Sequence, residues 1–193
     1  MLRESQGLDL VHVNVTSLDV SSASARLVIE ATVRNWTPET VRASLLGDIT
    51  AGNFQSASSL PVKLDVLAPP GESRIRKDIR IAKPALWWSW DYGKPNLYRL
   101  VSRLLVAGDT AQVVDTATTV FGVRSITRDS AWVWRLNGKR IYPRGSNYIG
   151  TQWLSQADRR WYARDMDMMI AANLNTMRVH AHLARPEFYD VAD

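Results

Sequence analysis

From Leu8 to Arg124, apolar and polar residues alternate in short runs broken by turn-forming residues, and a period of two predicts strands. The runs are Leu8–Val15, Ala25–Asn35, Val41–Ala51, Val62–Leu67, Ser73–Ile81, Tyr98–Ala107 and Ala111–Phe121. The alternation is cleanest in Arg26–Val33, where Leu27, Ile29, Ala31 and Val33 share one face. Turn signals stand between the runs at Thr37-Pro38, Ala68-Pro69-Pro70-Gly71, Gly93-Lys94-Pro95 and Gly108-Asp109. Seven such strands over about 115 residues are what an immunoglobulin-like β-sandwich needs.

After about Thr127 the period changes. Ala131–Asn137 and Lys139–Pro143 read as short strands around the hairpin turn Asn137-Gly138. Ser155 is the predicted N-cap of a helix, with Asp158 three residues on in the manner of a capping box. Tyr162, Met166, Met169 and Ile170 then form one apolar stripe at helical spacing, ending near Asn173. Thr176–His180 is a compact β run, and Arg185-Pro186-Glu187 opens a second helical pattern through Phe188, Tyr189 and Val191. Strand, helix, strand, helix is the start of a βα repeat, which needs eight strands to close as a barrel. The expected fold is therefore mainly β. An immunoglobulin-like β-sandwich over residues 5–125 precedes the first two βα units of a truncated (β/α)8 barrel over 126–193.

Composition narrows the chemistry. The chain has no Cys, which excludes disulfides, thiolate nucleophiles and Cys-containing zinc sites. No run of about 18 apolar residues occurs, and Met1–Asp9 lacks the apolar stretch of a signal peptide, so no membrane contact is expected. Lys and Arg total 24 against 19 Asp and Glu, a net charge of +5. This excess is spread over both halves, and the local cluster Arg74, Arg76, Lys77 and Arg80 is interleaved with Ile75, Ile79 and Ile81. It reads as the solvated face of a strand, so no nucleic-acid partner is expected. Neither a Gly-x-Ser-x-Gly elbow nor a phosphate-binding glycine loop is present. Asn14-Val15-Thr16 and Asn35-Trp36-Thr37 match the N-glycosylation sequon.

Five segments, in order, carry a resemblance. They are Pro84–Gly93 (PALWWSWDYG) with Pro95–Tyr98, Thr119–Arg124 (TVFGVR), Leu136–Arg140 (LNGKR), Arg144–Asn147 (RGSN), and Asn173–Arg178 (NLNTMR) followed by Arg185–Asp190 (RPEFYD). The chain resembles glycoside hydrolase family 2, which contains β-galactosidases, β-glucuronidases, β-mannosidases and exo-β-glucosaminidases. Trp87-Trp88 and Asn147-Tyr148-Ile149 look more like the β-mannosidase and exo-glucosaminidase branch. Galactosidase-type members have a histidine where Ile149 stands, and Arg-x-Ser-His where this chain reads Arg178-Val179-His180-Ala181-His182.

The resemblance implies hydrolysis of a terminal β-glycosidic bond with retention, by two carboxyl groups about 5–5.5 Å apart. It implies no organic cofactor. In the family both groups are Glu from later barrel strands, the acid/base directly following an Asn. Here the Glu residues are Glu4, Glu30, Glu39, Glu72 and Glu187, and none follows an Asn. No catalytic residue is therefore expected in this chain, and the chain alone is expected to be inactive. Its implied partners are a carbohydrate substrate of the full-length parent, the remainder of the barrel, and an N-terminal sugar-binding domain. The alternative is a non-catalytic carbohydrate-binding or interaction sandwich, which leaves Arg144–Asp190 without a purpose.

The candidate substrate-binding residues are Arg178, His180, His182, Asn147 and Tyr148. Arg178 ends the second barrel strand, on the side where barrel enzymes build their sites; a structural ion pair is the other reading. His180 and His182 are either site-wall or structural residues. A metal is not expected, because His12 is the only further His and lies in the first sandwich strand. Asn147 and Tyr148 follow the first barrel strand and either reach the pocket or serve a turn at Gly145-Ser146-Asn147. Trp87, Trp88 and Trp90 either stack on sugar faces or pack domains together.

Overall fold

The structure, a computed structural model, describes residues 7–106, 112–151 and 153–193. The chain falls into two compact units: residues up to Leu86 with Asn96–Ser125, and Trp87–Pro95 with Ile126–Asp193. The segment Trp87–Pro95 is thus inserted in sequence within the first unit, yet belongs to the second.

The first unit is a two-sheet sandwich of seven strands: β1 (Leu8–Leu18), β2 (Ser24–Asn35), β3 (Val41–Ala51), β4 (Leu60–Ala68), β5 (Gly71–Ala82), β6 (Leu97–Val106) and β7 (Gln112–Gly122). One sheet has the order β1-β2-β5 and the other β4-β3-β6-β7, and every pairing is antiparallel. All seven expected runs are strands within the described residues, which leave out Ala107 and Ala111. The predicted turn Gly108-Asp109 lies outside the described residues.

Leu27, Ile29, Ala31 and Val33 on β2 are buried as their alternation requires, and they share one core with Leu45, Ile49, Val62, Leu64, Leu100 and Leu104 of the facing sheet. Each such side chain withdrawn from water contributes about 1.5–3 kcal/mol, which is how the sandwich holds without a disulfide. Tyr98 adds an edge contact to Phe54 and a stacked one to Phe121.

The outer face of β2 and β5 neutralises much of its own charge. Arg26 bridges Asp19 and Asp78, each at 2.8 Å, Arg76 meets Asp78 at 3.1 Å, and Arg34 pairs with Glu72. Arg74, Arg76, Lys77 and Arg80 are exposed on β5 while Ile75, Ile79 and Ile81 pack on the core, which agrees with a solvated strand face. The sequon at Asn35 is structural, since its side chain is 3 % exposed and fully engaged. Its Nδ2 donates to the carbonyls of Glu39 (2.7 Å) and Ala68 (2.8 Å), and its Oδ1 accepts from the N–H (2.9 Å) and hydroxyl (2.8 Å) of Thr37.

In the second unit, β8 (Ile126–Arg128), β9 (Trp134–Leu136) and β10 (Lys139–Ile141) form an antiparallel sheet. The Asn137-Gly138 turn is present, with φ of 51° and 80°. Positive φ at both central residues is the primed geometry that matches strand twist. β11 (Gly145–Tyr148) and β12 (Thr176–Val179) then pair in parallel, joined through a 3₁₀ turn at Leu154–Gln156 and helix α1 (Arg159–Ala171); α2 (Pro186–Ala192) follows.

The structure differs from the sequence expectation at the start of α1 and at Asn147-Tyr148. The N-cap of α1 is Asp158, whose carboxylate accepts from the Trp161 N–H at 2.9 Å, and Ser155 lies in the preceding 3₁₀ turn. Asp158 has the extended backbone (ψ 177°) that lets a side chain fold back on the first turn. Asn147 and Tyr148 lie within a parallel strand, neither after it nor in a turn, and Lys139–Ile141 belongs to the hairpin sheet instead. The helix ends as expected around Asn173. That residue takes φ 59°, while the N–H groups of Asn173 and Leu174 donate to the carbonyls of Ile170 and Met169. This is a Schellman closure with Asn in the left-handed position.

Candidate functional site

The parallel pair presents two faces, because successive side chains of a strand alternate. Met177 and Val179 of β12 and Tyr148 of β11 pack toward Tyr162 of α1 and Phe188 of α2. Asn147 and Arg178, which the register sets opposite one another, stand on the other face and are exposed. The Arg178 guanidinium donates to Asn147 Oδ1 at 2.9 Å and lies 3.0 Å from His180 Nδ1. The His180 N–H donates to the Tyr148 carbonyl at 3.0 Å, carrying the ladder one residue past β12. Ala181 then turns with φ 57°, and His182 Nδ1 reaches the His180 carbonyl at 2.7 Å.

A guanidinium can only donate and a carbonyl can only accept, so the two imidazoles differ. His180 accepts at Nδ1, and His182 carries a proton there.

Tyr148 is held differently from its neighbour. Its ring stacks on Phe188 at 5.2 Å and its hydroxyl donates to Asp165 Oδ2 at 2.7 Å. Burial, reinforced by Asp165, pushes the phenol well above its ordinary range. Tyr148 and His182 nevertheless line one cavity of about 360 Å3, together with Ile149, Gly150, Tyr162 and Leu183. The five candidates therefore fall into two groups: a hydrogen-bonded row of Asn147, Arg178 and His180, and a cavity wall of Tyr148 and His182. Asp165 was not singled out from the sequence. Its signal was a carboxylate three residues after Tyr162, beside the apolar stripe.

The opposite ends of the same two strands carry a second network. Asp91 Oδ2 accepts from Arg144 at 2.7 Å and from Asn175 Nδ2 at 2.8 Å, while Ser89 donates to Oδ1 at 2.9 Å. The Arg144 N–H donates to Asn175 Oδ1 at 2.8 Å, and Arg144 Nε to the Asn173 carbonyl at 2.9 Å. Trp87 and Trp90, from the same inserted segment as Asp91, donate their indole N–H groups to the carbonyls of Asp193 and Leu174. These indoles are committed to packing in the second unit.

Burial pulls the Asp91 carboxyl upward, but hydrogen bonds from Asn175, Ser89 and Arg144 outweigh it and hold the group below the usual carboxylate range. A folded-state value below the unfolded one means that the stabilisation is complete above about pH 4 and lost as pH falls through the folded value. Protection of the β11 and β12 amides is expected to weaken on acidification below about pH 4, and Asp91→Asn should flatten that dependence. An equally steep acid transition in Asp91→Asn would assign it to another group.

Among the described residues, no cluster of three or more His, Asp or Glu could hold a metal ion, and no helix is long and apolar enough to cross a membrane.

The chain thus combines a sandwich, a short antiparallel sheet and a parallel βα pair with a polar row at the C-terminal ends of its strands. The sequence pattern of Glycosyl hydrolases family 2 matches residues 9–124, and the chain belongs to that family. It is 29 % identical over 191 residues to an exo-β-D-glucosaminidase of Streptomyces avermitilis, covering 93 % of this chain and 20 % of the relative. A second exo-β-D-glucosaminidase, of Hypocrea virens, is 30 % identical over 180 residues, covering 90 % and 19 %. Among solved structures, the exo-chitosanase of Amycolatopsis orientalis superposes with a TM-score of 0.77 at 25 % identity, over 98 % of this chain and 22 % of the other. The chain thus spans about a fifth of the length of the relatives it matches.

Proposed function

We propose that this chain is the part of a retaining β-glycosidase that carries the sandwich and the first two βα units of its (β/α)8 barrel, residues 126–193 supplying the latter. The enzyme removes a terminal β-linked sugar, and the exo-β-D-glucosaminidase relatives favour a glucosaminide. Arg178, Asn147 and His180 contact the sugar directly, and His182 and Tyr148 form the adjoining wall. Both catalytic carboxylates lie outside this chain, so the chain alone hydrolyses nothing, and its partners are the carbohydrate and the rest of the barrel.

The observation that carries this reading is the Arg178–Asn147 pair at the C-terminal ends of two parallel strands, on the face turned away from the helices. In a barrel that face is the interior, and those ends line the active-site mouth. In the full-length protein, Arg178→Ala is expected to lower kcat/KM about 10- to 150-fold, the equivalent of a charge-assisted hydrogen bond of about 1.5–3 kcal/mol. The melting temperature should stay unchanged. Unaltered kinetics with a lowered melting temperature would make Arg178 structural and remove it from the site.

A further inference from the structure

We propose that Asp91, from the segment inserted between β5 and β6, is a positioning residue for the Arg178–Asn147 pair, acting by fixing the register of β11 against β12. The proposal rests on the reading of that pair as sugar-binding.

The ladder between the two strands has only four residue pairs, Gly145↔Thr176 to Tyr148↔Val179. So short a parallel ladder specifies its own register weakly. A slip of one residue would send every side chain of the shifted strand to the opposite face, moving Arg178 from the open side to the helix side. The alignment is imposed just before the ladder begins. Arg144 and Asn175 are the residues immediately preceding β11 and β12. One carboxylate oxygen, Asp91 Oδ2, binds both side chains, and the Arg144 N–H closes the triangle on Asn175 Oδ1. Counting three residues along each strand leads from Arg144 to Asn147 and from Asn175 to Arg178. The clamp and the pair are therefore the two ends of one alignment, about 10 Å apart at about 3.3 Å per residue.

Asp91 is itself fixed. Its side chain is 10 % exposed, Ser89 donates to its other oxygen, and the segment that bears it is closed at the neck by a Trp87–Pro95 bridge and by the Trp88 N–H donating to the Lys94 carbonyl at 3.0 Å. A single anchored acceptor shared by two strand starts is a register device. An ion pair made only for stability would need just one of them.

The test uses the full 193-residue chain and NMR signals of the Arg178 guanidinium and the Asn147 side-chain amide, with the amides of β1–β7 as the control for folding. In Asp91→Asn, which keeps the shape and removes the charge that holds Arg144, both signals are expected to leave the positions of the hydrogen-bonded pair. Exchange of the guanidinium protons should rise at least tenfold, and Asp91→Ala should carry the change further. A merely structural Asp91 would lower the melting temperature of the second unit and leave both signals where they are, which overturns the proposal. Should both Asp91 variants lose β11 and β12 altogether, Ser89→Ala decides the matter. It removes one bond to Asp91 without touching either strand, and the same signals must shift or the proposal fails. These signals report register whether or not a sugar binds. Failure of the sugar-site reading would appear instead as unchanged kinetics in the Arg178→Ala enzyme.

Discussion

Gly145→Ala is expected to unpair β11 from β12 and to dissolve the second unit's parallel sheet while the sandwich stays folded. A Cβ at this position would run into the Thr176 carbonyl group, its oxygen and its carbon alike. Those atoms are backbone and cannot swing aside like the end of a side chain, so the strands must separate. The requirement is close approach, since Gly145 does not adopt a left-handed φ. Overpacking of this kind, with no room to relax, costs about 3 kcal/mol or more, which is enough to lose a sheet of four residue pairs. Hydrogen exchange is the measurement. Amides of β11 and β12 should lose their protection in Gly145→Ala while those of β2, β3 and β6 keep theirs. Retained protection at β11 and β12 would show that the ladder accommodates a methyl group at this position and would overturn the expectation.

In the other unit, Asn35→Ala is expected to lower the stability of the sandwich by about 3–5 kcal/mol, because a buried polar group left without its partner costs about 1–3 kcal/mol and several are stranded together. The carbonyls of Glu39 and Ala68 lose the amide donor and the Thr37 N–H loses its acceptor, where the β2–β3 crossing meets the end of β4. Thermal or urea unfolding followed by circular dichroism would register the loss. Asn35→Asp separates the two halves of the network: it keeps an acceptor for Thr37 but presents a second oxygen to two carbonyls. It should destabilise at neutral pH nearly as much as alanine. A change below about 1 kcal/mol in either variant would contradict the buried network, since surface substitutions fall in that range.

The same Asn35 shows why local pattern reaches only part of the way. Asn35-Trp36-Thr37 reads as a sequon, but a sequon is three adjacent residues, whereas the burial of Asn35 depends on Ala68, 33 residues away. The Asn14 side chain of the other sequon makes a local bond to Thr16, at 3.3 Å on the surface.

The seven sandwich strands were legible because each buries one face only, which writes a period of two directly into the chain, and because Pro and Gly mark the breaks between them. The hairpin at Asn137-Gly138 was legible because a two-residue turn is a local matter of φ. Family membership was legible too, since the motifs of Trp87–Tyr98 and Thr119–Arg124 stand in the sequence as letters in order.

What escaped the sequence were features set by distant residues. The strand at Gly145–Tyr148 is too short and too polar to show a period. It exists because Gly145 admits the Thr176 backbone and because Asp91 pins Arg144 to Asn175. The cap of α1 is ambiguous in the sequence because Ser155 and Asp158 both suit a cap, and the 3₁₀ turn at Leu154–Gln156 decides between them. Of the candidate site, the residue types Arg178, Asn147, Tyr148, His180 and His182 are legible in the chain, near two strand ends. That Asn147 and Arg178 share a face while Tyr148 turns to Asp165 follows from long-range packing. The reason is physical. Alternation along a strand assigns two faces without saying which is inside, and that choice belongs to the partner strand and to the helices that bury one face.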